Sequence, residues 1–308
     1  MSQNLSPISP LKPLNVGNVV SAGIVLYRSH LKSYMGVALQ GALWSLLPFL
    51  ALLPIGLLFY GLFSPDSGFP PLLWLLIPVW LFFLVFCFAK YLLYSALLAR
   101  LAFNDLNSQP ETVREARQQL NTRLWSFFWV AILVALLMLC AYLGMAFVVG
   151  ISALALTFIL VNLIGDIAAS VIVGIFVLLG IAVGLTWFFS RWFISEVVLA
   201  AEDGIDIGRS VSRSWELTEG SVWRIQGVIL IAFLITLPLL ALTNYIPSIA
   251  LTQIEPASPT YFVVYGISLI TSFIGWIIVF PFWQSVKSVL YYDLRNRREG
   301  FGLKLRDS

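Results

Sequence analysis

Residues 196–233 read EVVLAAEDGIDIGRSVSRSWELTEGSVWRIQGVILIAF. A charged, amphipathic segment runs up to Gly220, and an apolar segment able to enter a bilayer follows it. Asp206 stands where a helix N-cap is expected. Val211, Trp215 and Val222 recur at four- and seven-residue steps, and Gly220 can end the helix in the left-handed conformation. The same order, a basic amphipathic helix and then a membrane span, occurs twice earlier, so the chain reads as three such units.

Composition agrees. The chain has 308 residues, 60% hydrophobic and 11% charged, against about 25% charged in soluble domains. Mean hydropathy is +0.93. Arg123 and Asp166 enclose a long uncharged run, and Asp166 and Arg191 enclose another. Each covers the roughly 20 residues a transmembrane helix needs. The expected fold is therefore all-α: a polytopic bundle of six spans plus interfacial amphipathic helices, with a threefold internal repeat of helix and hairpin.

In order, residues 1–15 are polar and Pro-rich, a flexible cytoplasmic tail. Residues 16–290 form one membrane domain of units at about 16–103, 108–192 and 206–290, and 291–308 form a charged cytoplasmic tail. In the first unit Val16, Val20, Ile24, Tyr27, Leu31 and Tyr34 mark one helical face opposite Asn18, Ser21, Arg28 and Lys32, the pattern of a helix lying in the membrane interface. FSPDSGFPP at 63–71 reads as a turn. The second unit opens with Ser108 and Glu111 in capping-box spacing, with Pro110 in the first turn. Residues 149–166, bounded by glycines, read as a re-entrant or interfacial segment between spans at about 126–148 and 168–190. TNYIPSIALTQIEPASPTY, 243–261, reads as an outer loop before a last span at about 261–285.

Charge placement orients this scheme. All 18 Lys and Arg fall on one side or at its boundary, whereas the opposite loops carry only Asp66, Asp166 and Glu255. By the positive-inside rule both termini are expected in the cytoplasm, and Trp125, Trp192, Trp223 and Trp283 fall near the inner boundaries.

Chemistry is sparse. Cys87 and Cys140 lie in apolar runs without metal or disulfide spacing. The one histidine, His30, sits beside Arg28 and Lys32 and reads as a headgroup or solvent contact; catalytic or metal-binding histidines need partners. No phosphate-cradling, nucleophile-elbow or zinc-protease motif occurs. No cofactor, metal or nucleic acid is expected. Lys90 and Arg191 stand close enough to the inner boundary to snorkel, so no span centre carries a transport-like charge. The richest region is cytoplasmic: Glu202, Arg213 and Trp215 in the third unit, and Asp293, Arg295, Arg298 and Glu299 in the tail. These residues read either as ion-pair ties between helices or as a platform for anionic headgroups.

The stretch EDGIDIGRSVSRSWELTEGSVWRIQGVILI resembles a segment of the membrane domain of some glycerophosphodiester phosphodiesterases and of related stand-alone polytopic proteins. The matching residues are Glu202, Arg213, Ser214, Trp215, Leu217, Gly220 and Trp223. The tail LYYDLRNRREGFGL, from Leu290, is similar to that family's closing motif, with Gly302 where an acidic residue is frequent. The opening VGNVVSAGIVLYRSHLKSYMGVAL is similar to its first helix. The resemblance implies six spans and a stand-alone membrane domain. It does not imply the phosphodiesterase reaction, which needs a separate barrel with catalytic histidines. The expected function is non-enzymatic: organising membrane lipids, through anionic headgroups, or another membrane protein at the cytoplasmic face. The alternative is a transporter or channel for a small or lipidic substrate; lipid phosphodiester chemistry would need clustered acidic metal ligands.

Overall fold

The computed structural model describes residues 15–62, 74–256 and 258–299, and among these every regular element is helical. The turn read at 63–71 and the ends of the chain lie outside the described residues. The elements are α1 (Val16–Ser29), α2 (Leu31–Leu62), α3 (Leu76–Leu106), α4 (Val113–Asn121), α5 (Leu124–Ile164), α6 (Asp166–Trp192), α7 (Ser195–Ala201), α8 (Ile207–Thr218), α9 (Val222–Leu240), α10 (Ile246–Thr252) and α11 (Pro259–Glu299). A π-helical turn at Ala241–Tyr245 joins α9 to α10. Six of the resulting stretches are long and apolar enough to cross a bilayer. The chain is a multi-pass, all-α membrane protein. A short helix precedes each hairpin: α1 before α2–α3, α4 before α5–α6, and α8 before α9–α11.

The second hairpin corrects the re-entrant reading of 149–166. Helix α5 runs unbroken through Ile164, with the hydroxyls of Ser152 and Thr157 bonded back to the carbonyls of Val148 and Ala153. Where water is absent, backbone groups must be satisfied within the helix, and Gly150 alone, at about 1 kcal/mol, does not break it. The turn falls at Gly165, whose φ of 82° is left-handed. The 41 residues of α5 make about 61 Å at 1.5 Å per residue, about twice the hydrocarbon thickness. Glycines on α6 let the two helices close: a Cβ on Gly184 would meet Met145 Sδ, and one on Gly180 would lie 3.3 Å from Val149.

Other boundaries also move. The capping box is Thr112 with Glu115, not Ser108 with Glu111. Ser108, at φ 57°, belongs to the turn that ends α3, and Glu111 accepts from Arg100 and Asn104 instead. The Thr112 hydroxyl and N–H hold the Glu115 carboxyl below its ordinary pKa. Asp206 caps α8 as expected, accepting from the Arg209 N–H at 2.7 Å, and Gly220 follows α8 at φ 71°. The loop read at 243–261 is largely helical. Pro238 lacks a donor, the backbone passes through the π-turn, and the Thr243 carbonyl accepts hydroxyls from Thr271 and Ser272 at 3.2 and 3.1 Å.

The core lies at the charged end of the hairpins. It joins the start of α2, the last half of α3, α7, the starts of α5 and α9, and α11 from Ile277 to Leu294. Helix α1 departs from the interfacial reading: Val19, Val20, Gly23 and Leu26 are buried as it packs on α11 and α9. A Cβ on Gly23 would stand 2.7 Å from Val286 Cγ2. Residues 291–299, read as a tail, are the last turns of α11, with Tyr291 and Leu294 fully buried.

Candidate functional site at the charged end

The end of α11 lies against α8, and most of the expected platform residues meet there. Arg213 on α8 faces Glu202 at 3.5 Å and Glu216 at 3.7 Å, and pairs with Glu299 of α11. Glu299 also accepts from Arg295 Nε at 2.9 Å, and the Tyr291 hydroxyl donates to Glu202 at 2.7 Å. Asp293, 4% exposed, is shared by Arg224 of α9 and Arg297, the latter at 2.9 Å. Arg298 donates to the Glu219 carbonyl at 2.6 Å, where cations suit the negative end of a helix. Six of the seven residues therefore take part in ion pairs at this end. Arg213–Glu216, Arg295–Glu299 and Asp293–Arg297 each lie within one helix. The pairs Arg213–Glu202, Arg213–Glu299, Arg224–Asp293 and Arg298–Glu219 cross between elements, so the mesh ties α8, α9, α11 and the end of α7 together.

Trp215 belongs elsewhere. It packs with Trp187, Phe188 and Trp192, and the buried Arg191 guanidinium lies 4.0 Å from its ring centroid. The Arg191 carbonyl accepts from the Ser214 hydroxyl at 2.8 Å. The RSW run thus aims three neighbours at three partners: arginine at acids, serine at a backbone carbonyl and tryptophan at a cation.

Further members carried no recognisable local signal. Arg100 reaches Glu111 at 2.9 Å, the Ala200 carbonyl at 3.2 Å and Asp203 at 3.4 Å, tying α3 to α7. Arg123 donates to the carbonyls of Leu199, Glu202 and Ile205 at the end of α7. Their sequence neighbours are apolar or distant, and the partners arrive from other units. His30, read as a headgroup or solvent contact, keeps 42% of its side chain exposed while it stacks on Tyr34 and stands 3.4 Å from Asp105.

With so many cations engaged, the remainder stand out. Among the described residues, Arg28, Lys32, Arg114 and Arg209 are exposed and form no ion pair. They lie on α1, the first turn of α2, α4 and α8, one or more per unit. Trp125 and Trp223, 43% and 70% exposed, begin the spans that follow α4 and α8. Exposed cations beside exposed tryptophans match the chemistry of a headgroup layer.

A family model described as a domain of unknown function, DUF7847, matches residues 30–292. No curated protein and no solved structure matches the chain.

Proposed function

The chain belongs to the DUF7847 family, a domain of unknown function, and from its residues we propose that it is a non-enzymatic membrane protein that organises anionic lipids at the cytoplasmic face. The supporting observation is the division of labour among cations. The paired ones bind helix to helix, and Arg28, Arg114 and Arg209 on the short helices, with Lys32 in the first turn of α2, remain exposed across all three units. Near a surface of anionic lipid each contributes about 1 kcal/mol. The confinement of Lys and Arg to one end supports, by the positive-inside rule, the reading of that end as cytoplasmic. The resemblance to the membrane domain of glycerophosphodiester phosphodiesterases fits a membrane domain of this kind. Lipids gathered there give partner membrane proteins a place to assemble.

The test is lipid mass spectrometry on the full chain extracted in mild detergent. The combined variant Arg28→Gln, Lys32→Gln, Arg114→Gln, Arg209→Gln is expected to lose its enrichment in anionic lipid and keep its fold. Unchanged enrichment would contradict the proposal. A transporter or channel for a lipidic substrate is the second reading, favoured by a cavity that α3, α5, α6 and α11 share.

A further inference from the structure

That cavity has a volume of about 290 Å3. Its walls are apolar: Leu92 of α3, Phe127, Val134 and Met138 of α5, Phe189 and Trp192 of α6. Ala135 and Phe189 at its rim are exposed, so it opens sideways onto the apolar surface that bears no charge. Its floor is polar. Lys287 Nζ of α11 donates to Glu196 Oε2 of α7 at 3.3 Å and also lies 5.2 Å from the Phe193 ring centroid. The other carboxylate oxygen, Glu196 Oε1, is buried and, among the described residues, receives no hydrogen bond. A buried charged acceptor without a donor is costly, and the residue that carries it lines the cavity.

We propose that this cavity binds the headgroup of a phospholipid bearing a primary ammonium, entering sideways from the bilayer. The ammonium donates to Glu196 Oε1, satisfying the orphaned oxygen. The lipid phosphodiester lies beside Lys287, whose ammonium has donors beyond the one given to Glu196. The first part of one acyl chain follows the walls toward Met138. The volume is at the lower end for ligand pockets, so the cavity takes the head and the start of a chain while the remainder stays in the bilayer along α5 and α6. A quaternary ammonium has no donor for Oε1, and a glycerol headgroup has no cation; both are disfavoured. The site is separate from the exposed cations of the headgroup face and stands or falls without them.

The experiment is native mass spectrometry of the delipidated full chain, titrated in detergent with phosphatidylethanolamine, phosphatidylcholine and phosphatidylglycerol of identical acyl chains. The wild type is expected to retain phosphatidylethanolamine about tenfold more strongly than either other lipid, the ratio one charge-assisted hydrogen bond supplies. Glu196→Gln should abolish that preference. Ala131→Trp, which fills the cavity and leaves the ion pair intact, should abolish retention and keeps the test sound if the first variant unfolds. Equal retention of the three lipids, or a preference unmoved by Ala131→Trp, overturns the proposal. So does displacement of the lipid by soluble phosphoethanolamine, since the apolar walls would then play no part.

Discussion

The two ends of this molecule solve different problems. At the charged end, Leu98, Leu199, Ile225, Leu290 and Tyr291 are all fully buried, and charges from α7, α8, α9 and α11 interlock. At the far end of the second hairpin, Leu154, Phe158 and Ile167 are 73%, 77% and 85% exposed. Lipid is as apolar as a leucine side chain, so bringing spans together there gains no hydrophobic free energy. The difference teaches where the fold is held: the hairpins are tied at one end and solvated by lipid along the rest.

The largest expected effect breaks the tied end. Asp293→Ala removes the carboxylate that Arg224 and Arg297 share, and removing one partner of a buried pair costs about 3–5 kcal/mol. Denaturant titration in detergent would read it; a loss under about 1 kcal/mol, the scale of an exposed pair, would mean that the mesh is ornamental. Next comes a place where the far arms depend on close contact. Gly184→Leu forces a side chain onto Met145 and is expected to cost about 1–3 kcal/mol, with α5 and α6 separating in spin-label distance measurements. Thr112→Ala opens the capping box of α4 and should cost about 1 kcal/mol, seen in the same denaturant titration. Smallest of all is Phe158→Ala on the lipid-facing arm, within about 0.5 kcal/mol of wild type; a drop as large as that of Asp293→Ala would erase the contrast between the two ends.

Six apolar stretches, their short amphipathic partners, and the punctuation at Asp206 and Gly220 were legible because bilayer thickness and helix capping act locally on the sequence. The failures share a cause. The glycines bounding 149–166 looked like breaks and 243–261 like a loop, yet a helix without water has no better place for its backbone bonds, and Thr271 and Ser272 supply what the π-turn needs at Thr243. The helical end of α11 read as a tail, and its charges as ties between helices or a headgroup platform; the ties are what α8 and α9, far off in sequence, supply. For the candidate site, residue types and region could be read, and partners could not. Arg213 and Asp293 were found by their charge, whereas Arg100 and Arg123 act through acids and carbonyls that only folding brings near. The exposed cations were visible as letters, but their freedom appears only once the other cations among the described residues have been assigned.

The account depends on the tied end and the far turns facing opposite compartments, the tied end inward. Single cysteines at Ser212 on α8 and at Gln253 beyond α10, both exposed, can be placed in a background freed of Cys87 and Cys140 and probed in intact cells with a membrane-impermeant maleimide. Labelling of position 253 in intact cells, and of position 212 only after permeabilisation, is the predicted result; labelling of both positions from the same side would contradict it.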